Sequence, residues 1–335
     1  MHPFKYTRAT NLATASKGVG TNAKAKFLAG GTNLIDLIKE DVEQPEELID
    51  INNLKFTEIK KISSGANQGG ISIGGLGKNT DAANHSLVKQ NFPLLSQAIL
   101  AGASVQIRNM ASNGGNLNQR TRCPYFYDVA MSCNKRNPGT GCSAMEGINK
   151  LHAIFGWSDQ CIAVHPSDMC VALAALDAVV KVQGSAGERR ISFVDYHRLP
   201  GDTPEKDNNL NPEEIITAIE IPSNNFASNS YYLKVRDRSS YAFALISVAV
   251  AIETAGTEIR KARIALGGVA HKPWRALEAE NFLAGKSATE SNFKEAAAIA
   301  MKDSKPLEHN LYKVELANKA IVRALMQAMK GGNHS

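Results

Sequence analysis

Two glycine pairs set in polar turns, Gly30-Gly31 and Gly114-Gly115, most limit how this chain can fold. Lys26, Phe27 and Leu28 read as a short strand, and Leu34, Leu37 and Ile38 follow at helical spacing. Between them Ala29, Gly30, Gly31, Thr32 and Asn33 form a strand-to-helix turn. Its glycines lack the Cβ atoms that would hold a phosphate away from backbone N–H groups, and the helix start adds a positive end. Arg108 to Leu117 repeats the logic, with Ser112 and Asn116 beside Gly114 and Gly115. Two such loops could grip the two phosphates of one dinucleotide. Taken singly, Gly-Gly-Thr serves any tight strand-to-helix turn. Neither element has Gly-x-Gly-x-x-Gly spacing, so a Rossmann nicotinamide site is not offered.

The rest of the pattern is α/β. Residues 47–60 and 70–76 alternate like strands, and Pro93 to Val105 reads as a helix, so a second αβ module begins near residue 55. Met169 to Val182 suggests a helix running into a strand that continues towards Ile191. Asn, Ser and Pro crowd 222–230, a linker composition. Beyond it come an apolar run at Tyr241 to Ile252, a strand at Ala262 to Leu266, and an amphipathic helix marked by Val314, Ala317, Ile321, Leu325 and Met329. The expected division is 1–54, 55–222 and 228–330.

Charge and cysteine content narrow the function class. The 38 basic and 32 acidic residues are spread without long like-charge runs, so no nucleic-acid footprint is expected. No stretch of eighteen apolar residues is present, and Met1 to Tyr6 lacks the apolar core of a secretory signal, so neither membrane insertion nor self-directed export is expected. Five cysteines, an odd number, fit a closed disulfide framework poorly.

Four of the five, Cys123, Cys133, Cys142 and Cys161, fall in one segment at about 118–164, between the second glycine element and Asp168. Their Cys-x9-Cys-x8-Cys-x18-Cys spacing matches neither a compact ferredoxin run nor a Cys-x2-Cys zinc pattern, and leaves a metal site and scattered thiols equally open. Scattered glycines and polar residues give this segment little apolar material to order it. Cys170 lies in an apolar run and reads as a core thiol. His165 reads as a polar wall residue, although it could ligate a metal. Tyr125, Phe126 and Tyr127 read as packing aromatics.

Ala-Gly-Gly-Thr-Asn-Leu (29–34), Arg-Asn-x-Ala-x-x-Gly-Gly-Asn (108–116) and Pro-Ser-Asp (166–168) occur in that order. They are followed by Lys-Val-Arg-Asp-Arg (234–238), Tyr-Ala-Phe-Ala (241–244) and Ala-Leu-Gly-Gly-Val-Ala (265–270). Together these motifs resemble the FAD-binding subunits of the molybdenum hydroxylase family over nearly the whole chain. The cysteine segment is an insertion relative to ordinary members, and resembles that of FAD and [4Fe–4S] subunits of bacterial periplasmic aldehyde oxidoreductases.

The resemblance implies an α/β fold: a vanillyl-alcohol-oxidase-type FAD domain followed by a CO-dehydrogenase-flavoprotein-type C-terminal domain. It implies FAD held by Lys26 to Leu34, Ser112, Gly114, Gly115 and Asn116. Asp168 would meet ribityl or ribose hydroxyls, and Lys234 would lie near the flavin ring. It also implies a [4Fe–4S] cluster on the four cysteines, no catalytic residue in this chain, and a heterotrimer with a molybdenum subunit and a [2Fe–2S] subunit feeding an external electron acceptor. The location implied is the periplasm, by co-export with a signal-bearing partner, or alternatively the cytoplasm. Competing expectations are a 4-hydroxybenzoyl-CoA reductase-like or xanthine dehydrogenase-like flavoprotein subunit, a self-sufficient flavin dehydrogenase, and a non-enzymatic metal-stapled module.

Overall fold

The computed structural model describes residues 1–331 as three sheets with helices packed on them. Strands β1 (Lys5–Arg8), β2 (Ala25–Leu28) and β3 (Glu47–Asp50) form a parallel sheet in the order β1-β3-β2. Parallel neighbours need crossovers, which the helices Leu12–Thr21 and Leu34–Lys39 supply. Strands β4 (Ile59–Lys61), β5 (Ile71–Gly74), β6 (Val179–Gly184), β7 (Gly187–Ser192) and β8 (Ile215–Ile221) form an antiparallel sheet, β4-β5-β8-β6-β7. Its inner face buries the apolar helices Pro93–Ala101 and Asp168–Ala175. Strands β9 (Ser230–Val235), β10 (Ile246–Ala255), β11 (Glu258–Gly267) and β12 (Trp274–Arg275) form the third sheet, covered by the helix Tyr312–Met329, on which the helix Glu290–Met301 packs.

Local chemistry moves three boundaries from where periodicity sets them. The helix from Pro93 stops at Ala101, because Gly102 leaves helical geometry and Ala103 takes φ 50°. Val105 then starts a separate helix, Val105–Met110, capped where the Ile107 N–H donates to Ser104 Oγ at 3.3 Å. The strand at Val179 reverses after Gly184, so Ile191 returns on β7 opposite Val180. In the run from Tyr241 to Ile252 only the part from Ile246 onward is strand; Tyr241, at φ 50°, sits in a loop.

The cysteine insert is better anchored than its composition suggests. Ile154 and Phe155 are buried in the third sheet's core, and both their N–H groups donate to Val269 O, at 2.8 and 3.0 Å. Phe155 stacks on Trp274, with ring centroids 4.9 Å apart and planes 12° apart. Phe126 is buried against Leu37 of the first module. A few apolar anchors, each contributing about 1.5–3 kcal/mol by burial, therefore do what a continuous apolar pattern would otherwise do.

Candidate functional site

A cleft of about 1480 Å³ lies where the three modules meet, and both glycine elements line it. That exceeds the roughly 300–1,000 Å³ of most small-ligand sites and suits an elongated dinucleotide. Gly30, Gly31, Thr32 and Asn33 are among its walls, and their N–H groups have no acceptor among the described residues. Asn33 accepts from the Arg120 N–H at 2.9 Å through Oδ1, while its buried Nδ2 has no partner. These are the free donors a phosphate needs. The helix after the first glycine turn is only six residues long, and the second glycine pair lies within a five-residue helix, Asn113–Leu117, so neither element presents a long helix dipole.

The second glycine element plays a different part from the first. Its N–H groups are already engaged: Gly114 donates to Gly75 O at 2.6 Å, Gly115 to Ser112 Oγ at 3.1 Å and Asn116 to Ser112 O at 2.9 Å. It backs the first loop instead. A Cβ on Gly30 would lie 2.1 Å from Met110 O, so the two loops touch backbone to backbone. Asn116 donates to Asn79 Oδ1 at 2.7 Å and accepts from Ser167 at 2.5 Å, and Asn79 donates to Asn113 at 2.9 Å. Asn79 escaped sequence reading because a lone asparagine in the first turn of a short polar helix, Asn79–Asn84, carries no pattern.

Asp168 and Lys234 meet on the cleft wall. Lys234 Nζ is 2.7 Å from Asp168 Oδ2, and Tyr232 donates its hydroxyl to Asp168 Oδ1 at 2.7 Å. Burial, and then Asp168, hold the Tyr232 phenol well above its usual pKa, so it stays a donor. Both carboxylate oxygens thus carry an internal bond, and the Lys234 charge is matched before any ligand enters. The loop after β9 adds Tyr241 and Phe243, with Arg122 5.4 Å from the Phe243 ring.

The insert brings its four cysteines together. Cys133 and Cys142 pair across an isolated bridge, and Ser158 pairs with Cys161. The Cys161 thiol hydrogen-bonds Cys142 and draws it down to about 6, while Cys161 itself is driven upward. Burial pushes Cys123 up to about 12, with Cys133 and Cys142 near enough to add to the rise. Cys123 Sγ is 3.1 Å from His152 Nε2. Burial, and then Lys313, hold His152 down to about 4, a neutral imidazole. A chamber of about 200 Å³ separates Cys123 from the cleft and shares Arg122, Pro166, Ser167, Asp168 and Phe243 with it. All five cysteines are free thiols.

Cys170 is fully buried, and burial pushes its thiol up to about 12. Its sulfur and one ring nitrogen each from His165 and His197 lie within 4.8 Å of one another. The two rings sit 4.2 Å apart, and both imidazoles are held neutral by burial.

Lys135, buried beside the cysteines, pairs with Asp207 at 2.6 Å, and Arg120 pairs with the same carboxylate at 2.9 Å and with Glu43 at 2.7 Å. Burial alone would raise the Asp207 pKa, but the two cations outweigh it and hold the carboxyl well below its usual range. A depressed carboxylate stabilises the fold above its unfolded pKa of about 3.9 and loses that contribution as pH falls below it. Asp207→Asn should therefore cost about 3–5 kcal/mol at pH 7, by leaving the buried Lys135 without a carboxylate while Arg120 keeps only Glu43. In thermal melts the gap between wild type and variant should close as the pH drops from about 4 towards 2.

Comparison with known proteins agrees with this geometry. Residues 2–224 match the FAD binding domain in molybdopterin dehydrogenase, and residues 231–328 match the CO dehydrogenase flavoprotein C-terminal domain. The chain is 44% identical to the aldehyde oxidoreductase FAD-binding subunit PaoB of Escherichia coli, over 98% of this chain and 99% of that one. It is 30% identical to the glyceraldehyde dehydrogenase medium chain of Sulfolobus acidocaldarius, over 92% of each. Among solved structures, carbon monoxide dehydrogenase from Hydrogenophaga pseudoflava superposes with a TM-score of 0.76 at 25% identity, over 98% of this chain and 99% of that one. Cleft, motifs and matches converge: the chain belongs to the molybdenum hydroxylase family, as one of its FAD-binding subunits.

Proposed function

We propose that this chain is the FAD and [4Fe–4S] electron-transfer subunit of a molybdenum-dependent aldehyde oxidoreductase. The observation that carries the cluster is the convergence of Cys123, Cys133, Cys142 and Cys161 beside the flavin cleft, one small chamber away. Cysteine thiolates are the donors such a cluster requires. The aldehyde reading draws on two relatives that share at least 30% identity over more than nine-tenths of the chain, both named for aldehyde chemistry.

FAD supplies the redox chemistry once bound, and the cluster supplies a one-electron store. The chain's own residues do the holding. Free N–H groups at Gly30 to Asn33 and the Asn33 amide would meet the pyrophosphate. Asp168, fixed by Tyr232 and Lys234, would offer its remaining lone pairs to a hydroxyl of the cofactor, with Lys234 near the ring. Phe243 and Arg122 would close the cleft towards Cys123, excluding water. In the assembly the chain's part is to receive electrons from [2Fe–2S] centres of a small subunit and deliver them to an external acceptor, while substrate oxidation belongs to a molybdenum subunit.

Purification from the native host should yield a stable three-subunit complex containing flavin, molybdenum and iron. A flavin-bearing monomer or homodimer would contradict the reading. On the resemblance of the insert, the complex works in the periplasm, exported folded on a partner's signal. Fractionation that leaves it wholly in the cytoplasm would remove that part alone.

A further inference from the structure

Lys313 stands in the first turn of the helix Tyr312–Met329 and is fully buried. Its ammonium donates to the carbonyls of His152, at 2.9 Å, and Gly268, at 2.7 Å, and no carboxylate lies within ion-pair distance among the described residues. The position is doubly unfavourable for a cation. It is out of water, and it sits at the positive end of an eighteen-residue helix. Burial alone draws its pKa down to about 7.

What lies on the far side of those carbonyls supplies a reason. The ring of the same His152 touches Cys123 Sγ, and Gly268 walls the chamber that Cys123 also lines. Asn310 fixes the arrangement: its Nδ2 donates to His152 O and Ala153 O at 3.3 and 3.1 Å, and its carbonyl accepts the Lys313 N–H at 3.0 Å. The other buried lysine at this site, Lys135, is already neutralised by Asp207. A [4Fe–4S] core on four thiolates carries a net charge of two minus, and one more with each added electron. An unmatched buried cation behind Cys123 offsets that charge where little water screens it.

Resting on the cluster reading above, we propose that Lys313 is the buried counter-charge of the cysteine-held cluster and raises its reduction potential. Lys313→Gln keeps a donor for the carbonyls but removes the charge; Lys313→Arg keeps the charge. The purified complex would be titrated with dithionite and the cluster followed by electron paramagnetic resonance, alongside iron and FAD analysis. In Lys313→Gln the ratio of reduced to oxidised cluster at a fixed potential should fall about tenfold, a shift of about 59 mV to the negative for one electron. Lys313→Arg should stay near wild type. Iron lost from the Gln variant but kept in the Arg variant would also support the proposal, because charge is then what holds the cluster. An unchanged potential in an iron-replete Gln variant would overturn the proposal and leave the cluster reading intact. So would equal iron loss in both variants, which marks a purely structural lysine. A wild-type complex whose iron does not depend on the four cysteines would overturn the cluster reading, and this proposal with it.

Discussion

Gly30→Ala should weaken FAD binding while leaving the sheets in place. The added Cβ would fall 2.1 Å from Met110 O and 2.9 Å from Met110 C, and a backbone carbonyl held between the helix Val105–Met110 and Ala111 cannot swing aside as a side chain would. The loops must separate, which moves the free N–H groups of Gly30 to Asn33 off any phosphate they hold. At about 1–3 kcal/mol of strain, FAD affinity should drop about ten- to a hundredfold. Gly31→Val should be harsher, because a β-branched residue at φ 71° is strained whatever room it has, and Ile35 Cγ1 stands 3.0 Å away. Gly20→Ala is the control: its Cβ meets only Glu213 Cβ, at 3.7 Å, on a helix that alanine favours. Flavin content and dissociation constants by fluorescence check all three. Full FAD retention in Gly30→Ala would remove the first loop from the binding site.

Loss of any one of the four insert cysteines should loosen the insert and lower iron. Cys123→Ser, Cys133→Ser, Cys142→Ser and Cys161→Ser each remove a thiolate from a set that the fold has already gathered. Metal binding contributes to the folding of the segment that carries the ligands, so limited proteolysis should cut the variants faster within residues 128–150. The cuts should stop short of Ile154 and Phe155, because these remain buried in the third sheet's core without help from metal. Cys170→Ser should leave iron unchanged. Iron lost in Cys170→Ser alone would instead point to the Cys170, His165 and His197 group.

Much of the fold was legible because the motifs that carry it are local. The strand at Ala25–Leu28, the turn through Gly30 and Gly31, and the helix from Leu34 follow directly from a short apolar run, paired glycines and 3.6-residue spacing. The amphipathic helix at Tyr312–Met329 is legible for the same reason. What periodicity missed was set by single residues or by contacts distant in sequence. Ala103 at φ 50° ends a helix that alanine and leucine would have prolonged. Nothing in the composition of Gly184 to Gly187 separates a reversal from a strand that carries on.

The site divides in the same way. Both glycine elements are obvious in the sequence, but not their unequal roles, since the N–H groups of the second are consumed by Gly75 and Ser112. Asp168 and Lys234 stand out singly; that they pair, with Tyr232 completing the contact, depends on the fold bringing β9 to the first turn of the helix Asp168–Ala175. The cysteines are conspicuous, whereas the lysine behind them is not. Lys313 reads as an ordinary helix cation until the fold buries it under His152.

The most direct test is iron and acid-labile sulfide per FAD in the native complex, measured for wild type and for Cys142→Ser side by side. Iron carried by a partner subunit would be common to both and would cancel in the difference. The expected result is a loss of four iron atoms and four sulfides per FAD in the variant, with the flavin retained. Equal iron in the two preparations would contradict the cluster and leave a flavin subunit whose cysteines serve the fold alone.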